Sequence, residues 1–320
     1  MKKIVILGSG GFVGKSLTEY FSHDTAHGYE VVPVTRSLVD LSDGAAVREF
    51  MEAQRPDVVL NCAAVGGSRK NGYNDCADVA DLNFRLFENV EKALADLPDT
   101  VHVIFGSGAQ YDKSGPLAKV SESAIGLSVP KDPYGLGKYR IAKYIGEKGR
   151  KLTLMPVIFA LFGPYEDYTY KFISNACVKT MMGMDIVINR NVVFDYLYID
   201  DFCRIIGILL EKLTGGERIP NKIFNITPTR SVTLEEIART VKEVSGKAPG
   251  IKVLNEGLNP EYTGNNSLML ENLGGRYDFL SLKESVGRLY KDLEARLSEL
   301  DTESVKADAA LKFAQVITRK

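Results

Sequence analysis

The sequence predicts an α/β fold, a doubly wound parallel sheet flanked by helices, with a smaller C-terminal substrate lobe. Three features support this prediction. An apolar N-terminal segment runs straight into a glycine-rich turn and a helical pattern, and short apolar segments then alternate with helical ones. Gly163-Pro164 interrupts the alternation, and the segments beyond it are less regular. Strands that alternate with helices are typical of parallel sheets covered on both faces.

The first strand, turn and helix lie within Lys2–Phe21. Ile4–Leu7 is a short, fully apolar and mostly β-branched run, as expected for a central parallel strand buried on both faces. Apolar residues from Val13 to Phe21 then recur at a helical spacing. The glycine-rich segment between them therefore follows the carboxyl end of a strand and opens a helix.

The glycines of this turn suit the binding of a dinucleotide. Gly8 permits the tight turn, Gly11 lets the backbone approach a pyrophosphate, and Gly14 lets the helix lie close to the strand. The helix N-terminus offers free N–H groups and a positive dipole end to the phosphates. The predicted cofactor contacts in this turn are Gly8, Ser9, Gly10, Gly11, Phe12, Val13 and Gly14.

Strands and helices continue to alternate up to residue 164. The predicted strands are Glu30–Val34, Asp57–Asn61, Val101–Phe105 and Leu152–Phe159. The predicted helices run to Met51 from an N-cap at Asp43, over Cys76–Ala95, and from Pro133 to Glu147. In such sheets the ligand lies beyond the carboxyl ends of the strands. Besides the glycine turn, the residues at those ends are Thr35, Arg36, Ala63, Ala64 and Ser107.

The pattern divides the chain into two lobes and a tail. Residues 1–164 and 194–214 are assigned to a nucleotide-binding domain, 165–193 and 215–300 to the smaller lobe, and 301–320 to a C-terminal helix. The elements expected beyond Pro164 are helices at Phe172–Met182, Asp200–Lys212 and Thr233–Ser245, and strands at Asp185–Asn189, Phe194–Ile199 and Phe224–Ile226.

Composition excludes several classes of protein. The formal net charge is −1, so no strong field favours nucleic acid or a membrane surface. The 4 cysteines form no Cys-x-x-Cys motif or Cys/His cluster, so no metal site is predicted. No apolar run approaches the roughly 18–20 residues that span a bilayer, and the N-terminus enters the first strand directly. We therefore expect a cytoplasmic protein.

Tyr134-x-x-x-Lys138 places a phenol and an ammonium group one turn apart on the same helical face. A nearby cation favours the phenolate, so Lys138 is expected to lower the pKa of Tyr134 from its usual value of about 10. The tyrosine can then exchange a proton with a substrate carbonyl or hydroxyl during hydride transfer. Ser107, just past a neighbouring strand, is placed to hydrogen-bond the same oxygen.

A set of motifs spread along the chain resembles the extended short-chain dehydrogenase/reductase family. The motifs are Gly8-x-x-Gly11-x-x-Gly14, Cys62-Ala63-Ala64, Asn83, Gly106-Ser107 with Tyr111, Tyr134-x-x-x-Lys138, Phe162-Gly163-Pro164 and Asp195–Asp201. The family comprises NAD(P)-dependent sugar-nucleotide epimerases, dehydratases and reductases. The resemblance implies a Rossmann-type fold, a nucleotide-sugar substrate, and a catalytic set of Ser107, Tyr134 and Lys138. Within the family, Thr35-Arg36, Asp40-Leu41 and Ala63–Gly67 look most like GDP-L-fucose synthase, an NADPH-dependent epimerase-reductase.

The end of the second strand favours NADP(H) over NAD(H) as the cofactor. NAD-preferring folds place a carboxylate there to accept hydrogen bonds from the ribose hydroxyls, whereas this chain has Thr35 followed by Arg36. A guanidinium can instead pair with the 2′-phosphate. The resemblance adds the remaining cofactor contacts, which are Asp40, Leu41, Cys62, Ala63, Ala64, Asn83, Tyr134 and Lys138.

Departures from the family motifs narrow the expected reaction. Family dehydratases carry Asp-Glu after the serine or threonine, whereas Gly108-Ala109 follow Ser107 here and supply no acid and base pair. GDP-L-fucose synthase has a cysteine at the position of Ala109 and a histidine near that of Phe172. We therefore expect neither dehydration nor 3,5-epimerisation.

The predicted function is reduction by NADPH of a 4-keto group on a nucleotide-linked sugar, in deoxysugar or surface-polysaccharide biosynthesis. The predicted substrate contacts are Ser107, Gly108, Ala109 and Lys179. An NAD-dependent 4-epimerase would use the same three catalytic residues, and a relative that only binds dinucleotide is a third alternative. Lys171 or Tyr170 is an alternative acid for epimerisation.

A homodimer is also expected. The helices predicted at Cys76–Ala95 and Tyr134–Glu147 carry apolar residues on more than one face. In similar family members these helices pair across a two-fold axis into a four-helix bundle. The helix predicted over 301–320 could instead cover that surface in a monomer.

Overall fold

The computed structural model describes residues 1–23, 28–66 and 78–318. The polar segment 68–74, which the sequence predicts to be a loop, lies outside the described residues, as do Gly67, Cys76 and the start of the helix predicted over Cys76–Ala95. The strands are β1 (Lys2–Leu7), β2 (Tyr29–Val34), β3 (Val58–Asn61), β4 (Val101–Ile104), β5 (Gly106–Ser107), β6 (Leu117–Val120), β7 (Thr153–Ile158), β8 (Ala160–Phe162), β9 (Ile186–Asn191), β10 (Val193–Phe194), β11 (Tyr196–Tyr198), β12 (Ile223–Ile226), β13 (Val232–Thr233), β14 (Ile251–Leu258) and β15 (Tyr262–Gly264). The helices are α1 (Phe12–His23), α2 (Gly44–Gln54), α3 (Val79–Ala93), α4 (Pro133–Lys148), α5 (Phe172–Met181), α6 (Ile199–Thr214), α7 (Leu234–Ser245), α8 (Ser267–Leu273), α9 (Leu282–Ala295), α10 (Thr302–Ala307) and α11 (Ala309–Thr318).

The large sheet is parallel and doubly wound, as predicted. Its strand order is β2-β1-β3-β4-β7-β12, with β5 pairing alongside β7. The alternating side chains of β1 pack on opposite faces, because Ile4 and Ile6 join the core cluster that contains Leu17 of α1, while Val5 joins the cluster that contains Val47 of α2. Within the described ranges, no helix is both long and apolar enough to cross a bilayer.

The last strand of the large sheet comes from a segment that the sequence analysis assigned to the smaller lobe. In β12, Phe224 and Asn225 pair with Pro156 and Val157 of β7. Residues 223–226 therefore belong to the large sheet rather than to the lobe formed by 215–300. The local pattern identified the strand but carried no information on its distant partner. The rest of the division into lobes stays a prediction.

Outside the large sheet, short strands from several parts of the chain form smaller sheets. One sheet has the order β13-β10-β15-β6, and β9 pairs with β14 and β8 with β11. The sequence predicts a loop rich in Gly, Ser and Pro between Gly108 and Pro133, where β6 lies, and one strand over Phe194–Ile199, where β10 and β11 are separate. Asp195 lies between them, and its buried carboxylate accepts hydrogen bonds from Lys119, Ser231 and the backbone N–H of Gly264.

The C-terminal tail packs on the smaller lobe as two short helices, not as the single helix predicted over 301–320. Asp308 separates α10 from α11 in a left-handed conformation, with φ of 49°. Its carboxylate lies 2.5 Å from the ammonium group of Lys179 on α5. The side chain of Asn189 on β9 donates to the carbonyl of Ala314. These contacts attach the tail to α5 and β9.

Candidate active site

The glycine turn between β1 and α1 has the geometry of a dinucleotide-binding turn. Gly8 has φ of +73°, and a Cβ there would lie 2.8 Å from the backbone nitrogen of Ala63. A Cβ at Gly14 would collide with the carbonyl oxygen of Gly8. At Gly11, by contrast, a Cβ would make only an ordinary contact at 3.6 Å, so this glycine leaves open surface at the helix N-terminus. Since α1 starts at Phe12, the N–H groups of its first turn have no partner within the helix. The turn therefore fits a pyrophosphate.

A cavity of about 310 Å³ adjoins this turn at the ends of β1, β2 and β3. Its lining includes the predicted cofactor residues Gly8, Gly11, Thr35, Arg36, Asp40, Leu41, Cys62, Ala63 and Ala64. Ser9 is buried and Gly10 is exposed, and neither lines this cavity. The cavity has the position expected for the adenosine half of a dinucleotide, and we call it the adenosine-side cavity.

Arg36 and Asp40 form an ion pair at the rim of this cavity. The Arg36 side chain is 85% exposed, and its guanidinium lies 3.4 Å from the Asp40 carboxylate. Asp40 also accepts hydrogen bonds from the backbone N–H and the hydroxyl of Ser42. These bonds, with a smaller contribution from Arg36, hold the pKa of Asp40 below its usual value. The guanidinium is therefore accessible but already has a carboxylate partner.

Asn83, predicted as a cofactor contact, is a buried residue of α3 that holds the chain after β3. Its side-chain oxygen accepts from the N–H of Val65, and its amide group donates to the carbonyls of Val65 and Val79. It lines neither the adenosine-side cavity nor the larger cavity described next. The structure therefore supports a positioning role for Asn83 rather than direct contact with the cofactor.

A second cavity of about 690 Å³ brings Ser107, Tyr134 and Lys138 together with the glycine turn. We call this cavity the cleft. Ser107 ends β5, and its hydroxyl accepts from the N–H of Ala109 at the start of a 3₁₀ turn. Tyr134 and Lys138 lie on the first turns of α4, which Asp132 caps by accepting from the N–H of Gly135. The cleft and the adenosine-side cavity have lining residues in common, so the two form one continuous groove.

Lys138 is buried and Tyr134 half-buried, and the partial loss of water changes their acidities in opposite directions. Burial raises the pKa of Tyr134 to about 12, and the neighbouring Ser107 offsets this only in part. Burial lowers the pKa of Lys138 to about 8. The ammonium group of Lys138 donates to the carbonyl of Phe105 at 2.8 Å and lies 5.9 Å from the centre of the Tyr134 ring.

The direction of the Tyr134 shift is opposite to the one that the sequence predicts. The Tyr-x-x-x-Lys spacing places the ammonium group 5.9 Å from the ring centre, but the phenol is removed from water and lies near the Asp132 carboxylate, and both effects disfavour the phenolate. Tyr134 is therefore a neutral phenol at neutral pH. This form is the one able to donate a proton.

Three of the four predicted substrate contacts do not line the cleft. Gly108 and Ala109 are buried, and a Cβ at Gly108 would lie within 2.9 Å of the rings of Tyr262 and Phe159. Lys179 is 3% exposed and pairs with Asp308 of the tail instead. Ser107 alone of the four lies in the cleft. Sequence reasoning could not exclude the others, since their positions depend on packing between distant segments.

The smaller lobe contributes residues to the cleft that the sequence analysis did not name as site residues. They come from the segment after Gly163-Pro164, the start of α5, and β10 and β11, and they include Tyr165, Glu166, Asp167, Lys171, Phe172, Phe194 and Tyr196. Lys171 and Phe172 entered the sequence analysis only in connection with epimerisation. The break in the pattern at Gly163-Pro164 was the available signal, because the chain has left the large sheet at the end of β7, before this point.

Comparisons with known proteins agree with this fold. The family model described as "NAD dependent epimerase/dehydratase family" matches residues 4–227. A GDP-6-deoxy-D-talose 4-dehydrogenase from Aggregatibacter actinomycetemcomitans is 25% identical over 318 residues, covering 93% of this chain and 99% of that protein.

Solved structures show the same fold with either cofactor. The GDP-L-fucose synthetase from Naegleria fowleri bound to NADP superposes with a TM-score of 0.76 at 17% identity, covering 93% of this chain and 94% of that one. The UDP-glucose 4-epimerase from Thermus thermophilus in complex with NAD superposes with a TM-score of 0.72 at 19% identity, covering 91% of this chain and 99% of that one. The protein is thus an NAD(P)-dependent enzyme, and it belongs to the NAD dependent epimerase/dehydratase family.

Proposed function

We propose that the protein reduces the 4-keto group of a nucleotide-linked sugar with NADPH. The observation that carries this proposal is the meeting of Ser107, Tyr134 and Lys138 in one cleft beside the glycine turn. When bound, the nicotinamide would supply the hydride. The turn at Gly8–Gly14 would hold the pyrophosphate of the cofactor, and the adenosine-side cavity would hold its adenosine half.

The proton is the contribution of Tyr134. Its raised pKa keeps the phenol protonated at neutral pH, so it can deliver a proton to the carbonyl oxygen as negative charge develops there. Ser107 would orient that oxygen by a hydrogen bond. Lys138, held by the carbonyl of Phe105, would contact the nicotinamide ribose and stabilise the phenolate that remains. Each ketone gains one hydride and one proton and becomes an alcohol.

The cleft favours simple reduction over dehydration. Dehydration would need an additional acid and base beside Ser107, and the next two residues, Gly108 and Ala109, provide none and are buried. The relative from Aggregatibacter actinomycetemcomitans is named for oxidoreduction at C4 of a GDP-linked 6-deoxysugar. This name supports a keto group at C4 of a 6-deoxysugar as the target here.

An NAD-dependent 4-epimerase is the second candidate, and one observation favours it. The Arg36 guanidinium already pairs with Asp40, and this pairing would compete with the 2′-phosphate of NADP. Since an epimerase oxidises and re-reduces the same carbon, it retains its nicotinamide through the cycle. The spectrum of the purified protein would then show bound nicotinamide without any addition.

The test is incubation with NADPH and with GDP- and dTDP-linked 4-keto-6-deoxysugars in deuterated water. We expect oxidation of NADPH with at least one of these ketones, and no solvent deuterium at C3 or C5 of the product. Deuterium at either carbon would show epimerisation. Absence of NADPH oxidation with every ketone, together with nicotinamide bound to the purified protein, would favour the 4-epimerase.

The preference for NADPH rests on Arg36 and has its own test. Arg36→Ala should weaken NADPH binding by about tenfold, the scale of one charge-assisted hydrogen bond. Affinity for NADH should stay unchanged, because NADH lacks the 2′-phosphate. Fluorescence titrations with both cofactors measure this, and an equal loss for both would contradict the assignment.

We also propose that the protein is a homodimer through α3 and α4. The structure gives this proposal less apolar surface than the sequence suggested, because Leu82 and Leu86 of α3 line the adenosine-side cavity. Phe84 and Tyr144, whose rings meet edge to face between the two helices, remain half-buried. Light scattering at micromolar concentration would reject the dimer if it gave the mass of a single chain.

A further inference from the structure

The cleft contains a buried carboxyl group that the proposed reaction does not use. Glu166 lies between Pro164 and the start of α5, and it lines the same cavity as Tyr134 and Ser107. The residue is 7% exposed. A carboxyl group so far removed from water is unusual without a strong partner. The groups around Glu166 therefore decide which form of the carboxyl is present.

Only one hydrogen bond to the Glu166 side chain is present in the part of the chain that the structure describes. The hydroxyl of Ser174 on α5 donates to Oε2. No described residue forms a hydrogen bond or an ion pair with Oε1. This oxygen is also absent from the fully buried atoms that lack a partner, so it is accessible from the cleft. One carboxyl oxygen is therefore held by the protein, and the other is left for a ligand.

The charged and titratable groups near Glu166 come from three elements. Lys171, at the N-terminus of α5, favours the carboxylate, and Asp167 disfavours it. Cys177 of α5 and Tyr196 of β11 lie close enough to interact with it electrostatically. Burial outweighs both Ser174 and Lys171 and raises the pKa of Glu166 to about 8. At neutral pH the side chain is therefore mostly a neutral carboxylic acid.

We propose that Glu166 is a substrate-contacting residue, which as a neutral acid donates a hydrogen bond from its free oxygen to an oxygen of the bound sugar. This inference rests on the proposed function. A neutral acid is both donor and acceptor, whereas a carboxylate only accepts. The carboxylate would also repel the diphosphate of the substrate. Glu166 therefore selects for a sugar that presents an oxygen on the side of the cleft formed by the smaller lobe.

The proposal predicts that substrate binding depends on the protonation of Glu166. Below pH 8 the acid is neutral and the substrate binds. Above pH 8 the neutral fraction falls tenfold per pH unit, so KM should rise by about the same factor while kcat changes less. Lys138 titrates in the same range, so the effect of Glu166 is the difference between wild type and a variant at each pH.

The experiment compares wild type with Glu166→Gln and Glu166→Ala in steady-state kinetics from pH 6 to pH 10. Gln keeps a neutral donor at every pH, so its KM should resemble that of wild type at pH 6.5 and lack the additional rise above pH 8. Ala removes the donor, so its KM should be about tenfold higher at pH 6.5, the scale of one hydrogen bond to a ligand. NADPH affinity should be the same in all three.

A matched control is Glu122→Gln. Glu122 is also a buried carboxyl with a raised pKa, but it accepts from the N–H of Asn225 and does not line the cleft. This variant should retain the wild-type pH dependence of KM. Identical pH profiles for wild type and Glu166→Gln, or an unchanged KM in Glu166→Ala, would overturn the proposal.

A second measurement does not depend on turnover. The infrared difference between wild type and Glu166→Gln should contain the carbonyl band of a protonated carboxylic acid at pH 7, which disappears as the pH passes 8. Addition of GDP or dTDP sugar should shift this band. If wild type turns over no ketone, the proposed function fails, while the shifted band still supports Glu166 as a sugar contact. A carboxylate band at pH 7, or a band that no nucleotide sugar shifts, contradicts the proposal in either case.

Discussion

Two buried glutamates, Glu91 behind the large sheet and Glu166 in the cleft, have similar burial but opposite acidities. Glu91 is 3% exposed and Glu166 7%. Burial raises the pKa of both, but at Glu91 the side chains of His102 and Thr153 outweigh it and leave the pKa below its usual value. At Glu166 the single hydrogen-bond donor, Ser174, does not outweigh burial, and the pKa rises to about 8.

The difference lies in what surrounds each carboxyl group. His102 and Thr153 both contact Oε1 of Glu91, at 2.6 and 2.7 Å, and Oε2 is sealed from solvent. Oε2 has no hydrogen-bond partner among the described residues, but it is closed to solvent, so this carboxylate cannot contact a ligand. Glu166 has one oxygen accessible from a cavity. A buried polar group with several partners stabilises the fold, whereas one with an unused oxygen in a cavity is available for binding.

Removal of the Tyr134 hydroxyl, which like Glu166 lies in the cleft, should have the largest effect on turnover. Tyr134→Phe should lower turnover by roughly two to four orders of magnitude, the usual effect of losing a positioned acid. The phenol lies in the cleft beside the Ser107 hydroxyl rather than in the apolar core, so the free energy of unfolding should change little. Stopped-flow or steady-state NADPH oxidation measures the first, and urea denaturation the second. Turnover at the wild-type rate would exclude Tyr134 as the proton donor.

Substitution of Glu91, whose carboxylate is closed to solvent, should change stability and leave turnover unaffected. Glu91→Gln removes the charge that faces His102, and it should lower the free energy of unfolding by about 2–3 kcal/mol at pH 7. Because the pKa of Glu91 is lowered in the folded state, its contribution is present above the unfolded value and is lost as the pH falls below about 4. Urea denaturation at pH 7 and pH 4 should therefore show the deficit shrinking at the lower pH, with kcat unaffected.

At Glu166 the substitution by Gln should raise the free energy of unfolding instead of lowering it. Folding raises the pKa of Glu166, so at intermediate pH the carboxyl group is protonated in the folded state and ionised in the unfolded chain. Ionisation then favours the unfolded chain. Stability therefore falls as the pH rises from about 4.5 to about 8. Glu166→Gln removes this loss, so it should be more stable than wild type at pH 9 by on the order of 1–3 kcal/mol, with little difference at pH 5. Equal stabilities at both pH values would mean that Glu166 is already ionised in the fold.

Sequence patterns were sufficient for the elements whose position follows from local order. The carboxyl ends of parallel strands meet at one side of the sheet. The turn at Gly8–Gly14, which follows the strand at Ile4–Leu7, and Ser107, which follows β4, both lie at that side, and it locates the cleft. Tyr134 and Lys138 reach it because Asp132 and Pro133 start α4 there.

The features that the sequence could not predict depend on which distant segments cover a group. The acidity of Tyr134 follows from its burial, and the position of Lys179 follows from contact with Asp308 of the tail. The segment Tyr165–Asp167 is polar and resembles a surface loop, yet Glu166 is buried. Ser174 of α5 contacts its carboxyl group, and Tyr196 of β11 lies near it, so its removal from water depends on segments distant in the sequence.

The smallest expected effect concerns the donors that distinguish the two glutamates. Thr153→Val removes one of the two hydrogen bonds to Oε1 of Glu91 and keeps the shape of a side chain that is fully buried. Glu91 is then left with one donor, as Glu166 is. Its pKa should rise toward the usual value, and the free energy of unfolding should fall by about 1 kcal/mol at pH 7. Urea denaturation from pH 4 to pH 8 would show this deficit together with an acid transition moved to higher pH. If Thr153→Val leaves both the stability and the acid transition unchanged, His102 alone accounts for the low pKa, and the number of donors is not what separates Glu91 from Glu166.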